Sequence, residues 1–243
     1  MKKVKGLAML GLAFVAIPAC AQDNVEGTIA ADFVNQYIWR GQDLGDVAVQ
    51  PTLGVAYKGV SLTAWGSYGL TDKDDTKEFD LTLAYQTGGF HVGVTDYFFN
   101  QGTTFDGEEV TDAKYFHYGA HSTTHVFEAN IGYDFGPVAL NWYTNFGGND
   151  GVNKSGDRAY SSYVEAAVPF KLASLDWTAT VGAVPYATSF YARANGFAVT
   201  NVSLKASKDI KVTNSWSIPV FAGINTNPSN QKAYFVFGFT LQP

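Results

Sequence analysis

The stretch that decides the fold is Glu78-Phe79-Asp80-Leu81-Thr82-Leu83-Ala84-Tyr85-Gln86. Its side chains alternate at a period of two, so that Phe79, Leu81, Leu83 and Tyr85 share one face and the polar or small residues share the other. Such alternation is typical of a β-strand with one apolar face, because successive strand residues point to opposite sides. The segments 49–58, 60–70 and 127–135 repeat the pattern, and helical spacing fits none of them.

The same pattern predicts twelve strands, most of them about ten residues long, which is the length that a tilted strand needs to cross a bilayer. The predicted strands are 27–40, 48–58, 60–70, 78–87, 90–99, 125–135, 138–147, 159–170, 175–184, 197–206, 214–225 and 231–241. Tight connections alternate with longer polar ones, as expected of an outer-membrane barrel. The tight ones are 58–59, 88–89, 136–137, 171–174 and 207–213, and the long ones are 41–47, 71–77, 100–124, 148–158, 185–196 and 226–230. The predicted fold class is an all-β transmembrane antiparallel up-and-down barrel.

Residues 1–21 have the features of a cleaved signal peptide, which leaves 22–243 as one barrel domain. Three lysines precede an apolar run over 7–17, and Ala19-Cys20-Ala21 supplies the small residues that a signal peptidase recognises. The alternative is a lipoprotein with its lipidation box at 17–20, into which a proline fits poorly. Export followed by a barrel predicts the cell outer membrane as the location.

The composition excludes several classes of protein. Charged residues make up 16% of the chain, below the roughly 25% that is usual for soluble domains. Without the three lysines of the signal segment, 13 basic residues face 22 acidic ones, a net charge of −9. The single cysteine also lies in that segment. These numbers exclude a disulfide scaffold, a cysteine-ligated metal, a catalytic thiol and a basic nucleic-acid-binding protein.

Aromatic residues lie near both ends of the apolar strand faces, as in the two interfacial girdles of a membrane barrel. Toward the long loops they are Tyr37, Trp39, Tyr68, Phe79, Phe98, Phe146 and Tyr160, and toward the tight turns Tyr57, Tyr85, Phe90, Phe135, Phe170, Trp177, Trp216 and Phe239. The alternative, a soluble two-sheet sandwich, does not account for the alternating loop lengths. The register also points Asp96 outward, which predicts a β-bulge or an early strand end near Tyr97.

The segment Asn35-Gln36-Tyr37-Ile38-Trp39-Arg40-Gly41-Gln42, followed by Val49-Gln50-Pro51, resembles the N-terminal signature of the TorF family, also called Gcw_chp. The segments 124–128, 141–146 and 159–170 resemble its central blocks, so the likeness covers nearly all of the chain after the signal segment. The resemblance implies an outer-membrane barrel of a Gram-negative bacterium, proposed to be a porin without an assigned substrate. The barrel-assembly machinery recognises a terminal Phe in many barrels, whereas Phe239 lies four residues before the end of this sequence.

The inward faces of the predicted strands carry the candidate channel-lining residues. They are Asp32, Arg40, Glu78, Asp80, His91, Glu128, Asn130, Tyr143, Tyr163, Glu165 and Lys205. With Lys58, Asp134 and Asp176, this face has seven acidic and three basic residues, a net charge of −4, which favours cations or neutral hydrogen-bonding solutes. Twelve strands lie between the roughly eight of filled barrels and the roughly 16–18 of open porins. The prediction is a narrow passive channel, surrounded by outer-membrane lipid, for small polar or cationic solutes.

Other interpretations of these residues stay open. Arg40 forms either one wall of a constriction, opposite Glu128 or Glu165, or part of a structural network that braces the lumen. The whole barrel is alternatively a plugged surface protein in which the loop 100–124 recognises a ligand or partner.

Three histidines, His117, His121 and His125, recur at every fourth position. On a helix they would share one face and bind a metal, but in the predicted loop they are expected to be solvated. Ser122, beside His121 and His125, is the candidate nucleophile of a barrel hydrolase by spacing alone. No residue is assigned to catalysis, and no cofactor is predicted.

Overall fold

The computed structural model describes residues 24–72, 75 and 77–243, and these form a closed antiparallel β-barrel. The strands are β1 (Glu26–Val34), β2 (Tyr37–Trp39), β3 (Gln42–Gly45), β4 (Ala48–Tyr57), β5 (Val60–Gly69), β6 (Glu78–Thr87), β7 (Phe90–Phe99), β8 (Gly102–Thr103), β9 (Glu109–Val110), β10 (His125–Asp134), β11 (Ala139–Gly148), β12 (Ser162–Leu172), β13 (Leu175–Val184), β14 (Ala198–Lys211), β15 (Ser217–Asn227) and β16 (Lys232–Leu241). Twelve of them form the wall, and β2–β3 and β8–β9 are separate hairpins. The predicted all-β, twelve-stranded, up-and-down barrel is confirmed.

The described residues bear on membrane-spanning helices but not on the signal peptide. The predicted signal peptide lies outside them. Within them, no helix is both long and apolar enough to cross a membrane.

The connections differ in length at the two ends of the barrel. At the turn end they are 58–59, 88–89, 135–138, 173–174 and 212–216, and at the loop end 35–47, 70–77, 100–124, 149–161, 185–197 and 228–231. Both residues of Lys58-Gly59 and of Ala173-Ser174 have positive φ. This conformation suits two-residue hairpin turns, because its twist matches that of the flanking strands.

The two faces of the wall have opposite chemistry. Exposed apolar residues on the outward face include Ile29, Leu53, Leu62, Leu83, Ile131, Leu140, Val181, Leu204, Ile224 and Phe235. Buried polar residues on the inward face include Gln50, Ser67, Glu78, Asp80, Thr95, Glu128, Asn130, Asn145, Thr178 and Asn201. Alternation along each strand therefore builds an apolar outer surface around a polar lumen.

The first strand ends earlier than the sequence predicts. β1 stops at Val34 and not at residue 40, and the β2–β3 hairpin then lies inside the barrel. The side chain of Asn35 donates to the Phe235 carbonyl and accepts from the Phe237 amide. These two hydrogen bonds continue the pairing with β16 beyond the end of β1. The prediction that Tyr37 and Trp39 face outward is wrong, because the hairpin buries them among aromatic residues of the lumen.

Three other strands lie further along the chain than predicted. β12, β14 and β15 begin at 162, 198 and 217 and end at 172, 211 and 227. The polar run 207–211 stays in the sheet, because Ser207 through Lys211 pair with β15 through their backbone regardless of side-chain polarity.

Candidate functional site in the barrel lumen

The turn of the β2–β3 hairpin carries Arg40 into the lumen. Arg40 and Gly41 both have positive φ, at 49° and 79°. A Cβ on Gly41 would lie 1.8 Å from the Thr200 carbonyl oxygen, and the Asn227 side chain donates to the Gly41 carbonyl at 3.0 Å. Only glycine permits this approach between the hairpin and the barrel wall.

Arg40 forms a buried ion pair with Glu128 of β10. Its Nη1 and Nη2 donate to the two carboxylate oxygens at 2.5 and 3.1 Å. The hydroxyl of Tyr97 donates to Oε1 at 2.8 Å and that of Tyr191 donates to Oε2 at 2.9 Å. Glu128 is fully buried, and these four hydrogen bonds compensate the loss of its hydration.

Aromatic rings surround the Arg40 guanidinium. Its Cζ lies 3.9 Å from the ring centroid of Tyr143, 4.4 Å from Trp39 and 4.8 Å from Tyr163. Attraction between a cation and the negative face of an aromatic ring favours this arrangement. Burial is the largest single influence on Arg40 and lowers its pKa, but Glu128, Tyr191 and Tyr97 together outweigh it and raise the pKa well above its ordinary value. Arg40 is therefore a permanent charge in the lumen.

Tyr191 is a site residue that the sequence did not reveal. It lies in the loop 185–197, is fully buried, and contacts both Arg40 and Glu128. Burial is the main cause that raises its pKa well above the ordinary value, so it stays a neutral hydrogen-bond donor. Loop residues carry no periodicity, and the adjacent aromatic pair Phe190-Tyr191 in a polar loop was the only signal.

We call the β2–β3 hairpin together with Phe190-Tyr191 the plug. Its rings pack with Tyr97, Tyr143 and Tyr163 of the wall into one buried cluster at the loop end of the lumen. Toward the turn end the inward residues are smaller and partly exposed, among them Thr28, Thr52, Thr63, Thr180 and Ser203. Bulky buried side chains therefore fill the lumen at the plug, and smaller ones line it toward the turn end.

A second acidic group lies on the wall beside the plug. Glu78 and Asp80 are both buried inward residues of β6. Asp80 pairs across the sheet with Trp65 on one side and Tyr97 on the other. The ring of Trp65 also lies 5.6 Å from that of Tyr37 in the plug.

The remaining predicted lining residues lie elsewhere in the lumen. Asp32 accepts a hydrogen bond from Thr240, and Lys205 is the cation that acts on it. Glu165 accepts a bond from Tyr163 at 2.9 Å. Of the eleven predicted residues, Arg40, Glu128, Tyr143 and Tyr163 form one cluster.

Two further predicted lining residues, His91 and Asn130, lie on the neighbouring strands β7 and β10 of the wall. His91 and Asn141 meet over Gly132, where a Cβ would lie 2.4 Å or less from both side chains. The side-chain oxygen of Asn130 has no hydrogen-bond partner among the described residues.

The three histidines of the loop 100–124 and its border have separate partners. His117 contacts Ser122 at 2.7 Å, His121 contacts Asp106 at 2.9 Å, and His125 contacts Asp96 at 2.6 Å. Ser122 thus pairs with His117 and not with His121 or His125. In the part of the chain that the structure describes, no three His, Cys, Asp or Glu side chains are placed to hold a metal ion.

The outward Asp96 is accommodated by this loop and not by a bulge in its strand. β7 runs to Phe99 with a continuous register, so the predicted irregularity near Tyr97 is wrong. The register shifts instead between β10 and β11, where Phe127 pairs with Gly147 and Glu128 with Asn145, so that Phe146 is an extra residue of β11. The ring of buried His125 bridges the Asp96 carboxylate and the Tyr115 carbonyl.

Comparisons add no identification to this geometry: no model of a known protein family matches the sequence, and no curated protein does. The resemblance to the TorF family therefore stays a prediction.

Proposed function

We propose that this chain is an outer-membrane β-barrel, inserted by the barrel-assembly machinery, whose lumen passes small polar or cationic solutes by passive diffusion. The observation that carries the proposal is the closed wall itself, with an apolar outer face and a polar lumen. A bilayer tolerates strands only when every backbone group is paired, and closure achieves this. The resemblance of the Arg40-Gly41 segment to a family of proposed porins agrees with this function.

Passage in this proposal is limited at the plug. The Arg40–Glu128 pair and its rings lie where bulky side chains fill the lumen, so solutes must pass beside them or displace the hairpin. The acidic residues favour cations over anions at this constriction. The plug also supports a second candidate function, in which the lumen is closed and the barrel binds a ligand or acts structurally.

Single-channel conductance in a planar bilayer tests the proposal. The wild-type protein is compared with a variant whose residues 36–45 are replaced by a short Gly-Ser linker. A matched control shortens the loop 104–113, which is similar in length and lies outside the plug. We expect small, cation-selective steps from the wild type and the control, and steps several-fold larger without the hairpin.

The possible outcomes separate the two functions. Steps from the hairpin variant alone would favour the plugged barrel. Silence from all three proteins at every salt concentration would refute the channel.

A further inference from the structure

Asp80 differs from the other acidic residues of the lumen in its hydrogen bonding. It is completely buried, and neither of its carboxylate oxygens has a partner at hydrogen-bond geometry among the described residues, although the Phe98 backbone acts on the carboxylate. Glu128, Asp32 and Glu165 each accept at least one hydrogen bond from a side chain of the barrel or the plug. A buried carboxylate without a donor is costly unless another group compensates it.

A second acid and a phenol lie next to Asp80. Glu78 precedes it by two residues on the same inward face of β6, which places the two Cα atoms roughly 7 Å apart at the usual rise of a strand. Tyr37 of the plug is buried, and Glu78 and Asp80 are the acids that act on its hydroxyl. Three polar side chains from the wall and the plug thus converge on one part of the lumen.

Arg40, the cation of the plug, pairs with Glu128 and not with Asp80 or Glu78. The Arg40 guanidinium donates to both carboxylate oxygens of Glu128. Its surroundings also show how this lumen holds a cation, with a carboxylate at the nitrogen atoms and rings against the flat faces. Asp80 and Glu78 repeat the same combination, because the rings of Trp65 and Tyr37 lie beside them.

We propose that Asp80 and Glu78, beside the Tyr37 and Trp65 rings, bind a small organic cation with an ammonium or guanidinium group. The inference rests on the proposed function and names its solute class. Ammonium and guanidinium groups offer several N–H donors to carboxylates and are attracted to aromatic faces. A hard divalent metal prefers about six to eight oxygen ligands, whereas two carboxylates, one phenol and two rings supply too few.

The binding of methylammonium to the refolded protein in detergent micelles tests this inference. Isothermal titration calorimetry is carried out with methylammonium chloride, with calcium chloride, and with methanol as a neutral probe of similar size. We expect saturable binding of methylammonium, weaker binding of calcium and none of methanol. Asp80→Asn should weaken methylammonium binding at least tenfold, and Glu78→Gln should weaken it as well.

Asp112→Asn is the matched control, because it makes the same chemical change on an exposed loop, where Asp112 pairs with Lys114. The heat-dependent gel shift of each variant reports whether the barrel has formed, and Glu78→Gln replaces Asp80→Asn if the latter does not fold. Absence of methylammonium binding in the wild type, binding in both lumen variants as tight as in the wild type, or tighter binding of calcium would overturn the inference.

This assay is independent of conduction. A barrel that conducts without binding methylammonium would retain the channel function and lose the cation site. A barrel that binds methylammonium without conducting would retain the site and lose the channel.

Discussion

Replacing Glu128 by Gln should release the plug from the lumen. The neutral amide would no longer compensate the charge of Arg40, although the guanidinium would stay buried among the rings. Removing one partner of a buried ion pair costs about 3–5 kcal/mol, because the remaining charge is uncompensated. At about 1.4 kcal/mol for each factor of ten, the plug would open roughly 10²- to 4 × 10³-fold more often.

Arg40 is itself the reporter of this opening, since trypsin cleaves after arginine. In the wild type Arg40 is buried, so cleavage between Arg40 and Gly41 requires the hairpin to leave the lumen. When opening and closing are fast relative to cleavage, the cleavage rate follows the open population. Mass spectrometry of the fragment that ends at Arg40 should therefore show a rate increase of roughly 10²-fold or more. The exposed Lys114 serves as the internal reference, because its side chain is 72% accessible.

Asp32→Asn is the control for this experiment. It removes a lumen charge that hydrogen bonds to Thr240 and not to Arg40. An unchanged cleavage rate at Arg40 in Glu128→Gln would show that the ion pair does not hold the plug. A rate that rises equally in Asp32→Asn would show that the wall, and not the ion pair, had loosened.

Two further predictions concern packing and the outer loop. Gly182→Ala should destabilise the barrel by about 1–3 kcal/mol through overpacking, because the new Cβ would lie 1.8 Å from the Tyr163 hydroxyl. Unfolding in guanidinium chloride measures this loss of stability. Gly27→Ala, with open space around it, should have a much smaller effect. His125→Ala should raise the rate of amide hydrogen exchange over 112–118 by roughly 10- to 100-fold, since a hydrogen bond to a charged group contributes about 1.5–3 kcal/mol. The His125 ring contacts both the Asp96 carboxylate and the Tyr115 carbonyl of the loop. Unchanged exchange would show that the loop is held by its aromatic contacts alone.

The strand pattern was sufficient to predict the wall but not the plug. A period of two identifies a strand and its apolar face, and closure follows from the number of strands and the lack of a second layer. Tyr37 and Trp39 still lie two residues apart in the β2–β3 hairpin, although Ile38 between them is buried as well. One buried face on lipid and one buried face on a plug produce the same pattern, so periodicity alone could not distinguish them.

The Arg40-Gly41 pair shows which signal was present. As a sequence motif it supported only a resemblance. In the structure Gly41 is required by its contact with the Thr200 carbonyl, and Arg40 is required by Glu128. An arginine followed by glycine inside a predicted strand is therefore better interpreted as a turn that delivers a charge, because glycine weakens a strand interior.

The location of charge, more than its total, determines what the lumen can select. The predicted net charge of −4 counted each inward residue equally, but Glu128 is neutralised by Arg40, and Asp176 pairs with Lys171 near the turn end. Lys205 acts on Asp32. Asp80, whose two carboxylate oxygens have no hydrogen-bond partner among the described residues, lies with Glu78 directly beside the plug. Cation preference in a channel of this design would thus arise at one short segment, so Asp80→Asn should shift the reversal potential more than Asp32→Asn does.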